Sequence, residues 1–410
     1  MHALAVRWHS VRAHPLRSRI ALIEAWHEWR GGHPVASDHE PHLLAAVDWL
    51  VRSQDATPDD GFSRGYSLTW NLYLHQRRWQ PSYPETTGYL IPTLYELARV
   101  TDRPDLAQRA ERAARWEATL QLPSGAVRGG VVGQHVSPAV FNTGQVIFGW
   151  LSAYEETGDE EFAKAAARAA KYLVSVQDDD GHWRIDNSHF ARADATLYNA
   201  RTAWALAEAG VRLRAPAFRD AAAHNLRAVA AKQYANGWFP ACCLSDPRCP
   251  LLHTLAYTIR GLLEGGRVLE DSALIWRAEL AAGQLAECVR DDGWMAGRFD
   301  ERWTPAVAWS CLTGEAQMAN VWLRLSTMTG RSEWLGVARR VLRFLEHTQN
   351  RTSACAGIRG AIRGAWPMHG AYGAYEVLSW ATKFFVDALL RDMAIGAGGS
   401  RAKSRAFALA

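Results

Sequence analysis

Four side chains able to do acid–base or ionic chemistry, Glu85, Arg201, His253 and Tyr257, stand at the starts of apolar stretches in a chain that otherwise reads as scaffold. Tyr83, Asn142, Asn199, Trp309, Gln317, Tyr372 and Lys383 occupy corresponding starts. Asn142 follows Thr86 by 56 residues, Asn199 follows Asn142 by 57, and His253 follows Asn199 by 54. An ion or an imidazole facing a narrow space needs a partner or a substrate, and perturbed titratable groups concentrate in clefts. Arg64 and Tyr66, in a long early loop, are further candidates for ligand contact. Glu85, His253 and Tyr257 are the candidate catalytic residues; the others are candidates for substrate binding. Thr143, Thr86 or Thr87, and Thr313 read as helix N-caps.

The elements that must position these residues come from a repeat. Gln, a few polar residues, Gly and a bulky or apolar residue recur from Gln54, Gln121, Gln177 and Gln233, then from Arg290 in place of Gln, then from Gln349 to Gly357. The intervals are 67, 56, 56, 57 and 59 residues, the first lengthened by the segment 63–83. Each period holds a variable loop, an apolar helix, a turn and an amphipathic helix. Phe162, Ala166, Ala169, Ala170 and Leu173 show the helical spacing of the second helix. Six such hairpins predict an all-α, closed (α/α)6 toroid with inner and outer helix rings, because closure removes the end faces that an open solenoid must cap. The sequence predicts an N-terminal arm over 1–39, helical near Arg19 to Arg30, the toroid over 40–393 and a disordered tail over 394–410. The first outer helix is expected at Pro41 to Ser53 and the last inner helix at Gly373 to Met393. Loops before the inner helices then share one mouth, where helix N-termini leave N–H groups unpaired.

Composition narrows the function classes. A net charge of +4 among 410 residues, without a basic stripe interleaved with aromatics, gives no footprint for nucleic acid. Arg12, Arg17 and Arg19 give the N-terminus a modest positive character. The 19 Trp are expected to fill space between helices and, in part, to stack on flat ligand faces. Six Cys make no disulfide framework, and Cys242, Cys243 and Cys249 lack the paired spacing of structural zinc sites. Free thiols, no metal and no cofactor are expected. No secretory leader and no run of about 18 apolar residues is visible, so the expected location is cytoplasmic, without a membrane span. Oligomeric state is not readable.

At Gln177, Gly181 and Trp183 the chain resembles the repeat of squalene and hopene cyclases. Its period resembles the wider α/α-toroid group of six-hairpin glycosidases, lyases, 2-epimerases and lanthionine cyclases. The phrase from Tyr83 to Thr87 is similar to the C-terminal domain of D-glucuronyl C5-epimerases. These motifs belong to scaffold and imply fold more than chemistry. The terpene-cyclase acid is missing, since Asp178 to Asp180 sits in a repeat turn. No Cys-His pair exists for the lanthionine-cyclase zinc, although Trp309, Cys311 and Gly314 are superficially similar to that pattern.

The residues point to a saccharide substrate, with acidic sugar. Proton abstraction at a ring carbon, by an epimerase or lyase, wants a base such as Tyr257 or His253 and a carboxylate neutraliser such as Arg201, Asn199 or Arg64. Glycoside hydrolysis wants two carboxylates across one bond. Glu85 suits one of them, and Asp194, Asp300 or Glu315 would have to supply the other. Hydrolysis is therefore the second expectation. A terpene-cyclase-like enzyme and a non-catalytic binding toroid follow it.

Overall fold

A computed structural model describes residues 13–188, 191, 192 and 194–397. Helix α1 (Arg19–Trp29) precedes six hairpins. The outer helices are α2 (Glu40–Asp55), α4 (Pro104–Leu120), α6 (Glu160–Ser175), α8 (Pro216–Ala231), α10 (Ser272–Glu287) and α12 (Ser332–Thr348). The inner helices are α3 (Pro84–Val100), α5 (Val140–Thr157), α7 (Ala200–Arg212), α9 (Leu252–Leu269), α11 (Leu312–Thr329) and α13 (Ser379–Gly396). Inner helices pack on their neighbours in chain order, and α13 returns to α3 and α2. The ring is a closed (α/α)6 toroid.

The recurring Gln explains both the period and the closure. Gln121 Nε2 donates to the carbonyls of Gly125, in its own turn, and Ala165, on the next outer helix, at 2.9 and 3.0 Å. Gln177 repeats this on Gly181 and Ala221, and Gln233 on Gly237 and Arg277. Gln349 donates to Gly360 O and to His42 O on α2, at 2.8 and 3.0 Å, so the last clamp grips the first outer helix. The repeat glycine of the sixth copy is therefore Gly360 and not Gly357. Each clamp satisfies carbonyls that would otherwise be buried without donors. At Gly293 the turn needs a positive φ of 88°, and a Cβ there would lie 2.2 Å from Arg340 O. No L side chain fits both constraints.

The helix faces follow the sequence pattern. On α6, Phe162, Ala166, Ala169, Ala170 and Leu173 are buried, while Lys164, Arg168 and Lys171 face solvent. Inner helix α5 is buried all round from Val140 to Leu151. Small residues let inner helices approach closely: a Cβ on Gly88 would come 2.6 Å from Val146 Cα. Thr87 and Thr143 are not N-caps. Their hydroxyls donate to the carbonyls of Tyr83 and Ala139 and accept from Phe62 N and Val127 N. They pin the loop after each repeat glycine to an inner helix. In the fifth copy Thr313 Oγ1 has no partner, and Glu315 takes the role by accepting from Met295 N.

The surplus in the first loop is a small sheet that periodicity at 3.6 residues does not show. Strand β1 (Gly65–Asn71) pairs antiparallel with β2 (Gln76–Trp79) on one side. On the other it pairs with β5 (Glu376–Leu378), which occupies the expected start of the last inner helix. A second pair joins β3 (Ser310–Cys311) to β4 (Ala365–Trp366). Helix α1 lies against this side of the ring, with Arg363 Nη2 on Glu24 at 2.7 Å and Asn350 donating to Glu24 at 2.7 Å. Helix α13 continues to Gly396, past the expected boundary; Arg12 and residues 398–410 lie outside the described residues. Among the described residues no helix is long and apolar enough to cross a membrane.

Candidate active site

The loops before the inner helices surround a cavity of about 540 Å³ at one end of the lumen. Seven sequence candidates line it: Arg64, Tyr83, Glu85, Asn142, His253, Tyr257 and Tyr372. Glu85 lies in the first turn of α3, where the N-terminal dipole favours a negative group. Burial nevertheless pushes its carboxyl up to about 7, against the Tyr83 hydrogen bond and the charges of Arg201 and Arg64. It is thus part protonated near neutrality, with Tyr83 Oη donating to Oε2. No other Asp or Glu lines the cavity among the described residues.

His253 and Tyr257 stand one turn apart on α9, their rings 4.3 Å apart. Burial, helped by Arg201, lowers His253 to about 3, so the ring is neutral. Gln317 Nε2 lies 2.6 Å from His253 Nδ1. With that amide donating, the imidazole proton sits on Nε2, and His253 offers a donor to the cavity. Burial, the neighbouring Tyr89 and the Glu85 carboxyl hold Tyr257 well above the usual phenol range. Its hydroxyl makes no hydrogen bond of regular geometry among the described residues, and its one interaction of that kind is a looser one with Tyr89. Neither is a strong base at neutral pH; of the three catalytic candidates only Glu85 titrates in the working range.

The other candidates lie elsewhere, each for a visible reason. Arg201 is fully buried below the cavity, its Nε donating to Gln145 at 2.7 Å and its charge boxed by Trp204, Tyr257, Phe384, Tyr89 and Phe148. Lys383 is fully buried and paired with Asp387 at 2.6 Å; burial, partly offset by Asp387, lowers it to about 7. Asn199 is fully buried in the short turn before α7. Gln317 is fully buried and acts through His253. Tyr66 is buried in β1, edge-on to Trp79. Trp309 packs over Gly297 and Gly370. Corresponding starts in the repeat do not specify depth along the lumen, and these six residues do not line the cavity. The proposed second carboxylates fail likewise. Asp194 is exposed beside Arg192, and Asp300 binds Arg302 N and Thr304 N of its own turn. Glu315 is raised to about 8 by burial and spends Oε1 on Met295 N and Ser310.

The variable loops add groups that the sequence reading missed: Asn71, Gln134, Asn187, Cys243, Ser245 and Arg298. No periodicity marks them. Trp380, also in the wall, donates Nε1–H to Tyr372 Oη at 2.8 Å and lies beneath the Arg64 guanidinium, 5.0 Å from its ring centroid. Burial alone would raise the Cys243 thiol, but main-chain N–H groups of Ser245, Leu251 and Asp246 draw it down to about 7. None of the six cysteines is paired. No group of three or more His, Cys, Asp or Glu among the described residues could hold a metal ion.

Below the cavity the lumen is closed. The aromatic rings that box Arg201 form the floor, with the guanidinium beneath them. Beneath them lie Lys383 with Asp387, then Glu264 with Arg324 at 2.9 Å and Arg267 at 3.0 Å. Burial alone would raise Glu264, yet Arg324, Arg391, Arg267 and Arg260 together hold it well below the carboxylate range. The site is a dead-end pocket with one titrating carboxyl, neutral imidazole and phenol donors, and two arginines in its walls.

No family model matches the sequence, and no curated protein is similar to it at a significant level. Solved structures are similar in fold. An unsaturated glucuronyl hydrolase specific for heparin superposes with a TM-score of 0.68 at 18% identity, over 87% of this chain and 97% of that one. The unsaturated glucuronyl hydrolase from Bacillus sp. GL1 gives 0.65 at 14%, over 86% and 96%. The cellobiose 2-epimerase from Bacillus thermoamylovorans B4167 gives 0.67 at 9%, over 85% and 96%. At these identities the likeness establishes the α/α-toroid fold over nearly the whole length of each neighbour.

Proposed function

We propose that the chain is a carbohydrate-active enzyme that takes the end of an acidic oligosaccharide into this pocket and transfers a proton with Glu85. The observation that carries this reading is a single carboxyl, raised to about 7, in an enclosed cavity between aromatic rings and two arginines. A cavity of about 540 Å³ closed from below suits terminal sugars better than the middle of a chain. Tyr83, Tyr257, Tyr372 and Trp380 offer flat faces for sugar rings.

Among reactions, removal of an unsaturated uronyl residue has the best support. Ordinary glycoside hydrolysis sets two carboxyls across the scissile bond, and Glu85 has no such partner in the cavity among the described residues. An unsaturated uronyl residue, of the kind two of the fold neighbours are named for, is an enol ether and needs only one. Glu85 gives its proton to C4, water adds to C5, and the proton water loses returns to Glu85. The C5 hemiketal so formed opens, leaving C1 as a hemiacetal that releases the next sugar. A carboxyl near pKa 7 is suited to give and regain a proton at neutral pH. Epimerisation at C5 is the second reading. It would use Glu85 and the Tyr257 hydroxyl as a pair, and the looseness of that hydroxyl's tie to Tyr89 favours it.

An unsaturated glucuronyl disaccharide separates them. Loss of its ultraviolet absorbance with release of the second sugar, abolished in Glu85→Gln, is the expected result. Deuterium entering C5 of a saturated uronyl disaccharide, with no loss of the unsaturated one, would establish epimerisation instead. The absence of both reactions would sink the proton-transfer reading.

A further inference from the structure

Arg298 reaches the cavity from the loop after Gly293 and Trp294, bridged to Leu251 at the start of α9. No carboxylate lies within ion-pair distance of it among the described residues, and Asp246, in the neighbouring loop, feels its charge only from farther off. Nη1 donates to Cys249 O at 2.8 Å and lies 3.7 Å from Cys243 Sγ, while Nη2 donates to Ser245 Oγ at 2.8 Å. These contacts use three of the five N–H groups of a guanidinium. The Nε–H and one Nη2–H remain, and the Nε–Nη2 edge of a guanidinium is one that matches a carboxylate with two parallel hydrogen bonds.

Arg64, the other arginine in the wall, is already engaged. It is paired with Glu376 at 3.1 Å, hydrogen-bonded to Gln80 at 2.6 Å and laid over Trp380. Its remaining surface can pack against a sugar, but its charge is neutralised within the protein. Arg201 is sealed beneath the floor. Among the described residues the cavity therefore holds one arginine with no carboxylate at ion-pair distance; the Cys243 thiol at 3.7 Å is the nearest acid, and a ligand's carboxylate can complete the pairing.

We propose that Arg298 is the seat of the substrate's acidic group: a sugar carboxylate lies across its Nε–Nη2 edge, and the 242–249 loop holds that edge toward the cavity through Cys249 O and Ser245. This rests on the acidic-saccharide reading of the pocket and adds the residue that selects the acid. A neutral sugar of the same size leaves the guanidinium half-satisfied in a space from which it has displaced water, so the discrimination comes from the loss of a charge-assisted pair.

Calorimetric titration with a saturated glucuronyl disaccharide and its glucosyl counterpart tests this without any turnover. Wild type should bind the acid about ten- to a hundredfold more tightly than the neutral sugar. Arg298→Gln should bring the two within about twofold at an unchanged melting temperature, and Arg298→Lys should restore part of the preference as a point charge. Ser245→Ala, which loosens the loop and keeps the charge, and Arg64→Gln should both retain it. A preference that survives Arg298→Gln, or that wild type lacks, overturns the assignment. Acid preference without turnover of the unsaturated disaccharide overturns the hydrolytic reading and leaves this one standing.

Discussion

Glu85 near the mouth and Glu264 deeper in the same lumen are both carboxyls taken out of water within reach of arginine charge. Glu264 is fully buried and meets Arg324, Arg267 and Arg391 at 2.9, 3.0 and 3.6 Å. It stays ionised. Glu85 has arginine charge nearby but a phenol as its direct partner, and it is raised to about 7. Burial acts on both; contact decides the outcome, because a charge is stabilised by groups that touch it and only weakly by those screened behind aromatic rings. The lower lumen is an ionic lattice that ties α7, α9, α11 and α13 together. The upper lumen leaves its one carboxyl free to change state.

Breaking each end should therefore give different symptoms. Glu85→Gln should cost about 10²- to 10⁴-fold in turnover of an unsaturated uronyl substrate, as general acid–base groups do. Its thermal stability should stay within about 1 kcal/mol, since little packing is lost. A protein that unfolds instead would move Glu85 into the lattice class. Glu264→Gln should show the reverse, losing about 3–5 kcal/mol in chemical denaturation because several arginines are left buried without a counter-ion; unchanged stability would mean that the ionic network is dispensable. Trp183→Ala, far from either end, truncates a fully buried ring whose Nε1 donates to Leu173 O at 2.8 Å. It should cost a comparable ~3–5 kcal/mol with kcat intact in whatever remains folded.

The pH dependence sharpens the comparison further. As a proton donor Glu85 must enter the reaction protonated, so kcat/KM should fall about tenfold per pH unit on the alkaline side of its pKa of about 7. A limb near the ordinary carboxylate range would contradict the raised value. Glu264 has the opposite sign: its depressed pKa lends stability that is present above the unfolded carboxylate's range and lost as pH falls through and below it. The smallest effect is expected at Glu117, fully buried on α4 with neither oxygen hydrogen-bonded. Later copies place Leu173, Val229 and Leu285 at this register, 56 residues apart. Glu117→Leu should stabilise the protein by about 1–2 kcal/mol, since it removes an unsatisfied buried carboxyl. A loss would point to a partner for that carboxyl.

The ring was legible in the sequence because the repeated Gln is itself the bond between successive outer helices. Closure is legible in six hairpins of near-equal period and the end faces an open form would expose; that Gln349 grips α2 is visible only in the structure. Glu85, His253 and Tyr257 were legible because a polar residue at the head of an apolar helix is costly unless it is used. Arg201 and Lys383 satisfy the same criterion but lie beneath the floor, and a one-dimensional register carries no information on which side of the aromatic box a side chain ends. Arg298 and Asn187 were not visible at all. They come from loops whose lengths differ from copy to copy, so nothing in the period announces them. The β1–β2 hairpin escaped for a related reason: alternation over Tyr66, Leu68 and Trp70 has period two and was hidden inside a loop defined only by surplus length.

The seam where the ring closes runs through the pocket. Arg64 and Glu85 come from the first hairpin, while Glu376, which pairs with Arg64, and Trp380, which lies under it, come from the last. A chain emerging from the ribosome therefore carries its acid early but gains the opposite wall only when the final helix docks, so no partly synthesised or C-terminally clipped form should show a fraction of the activity. Assembly of the ring and completion of the pocket are one event.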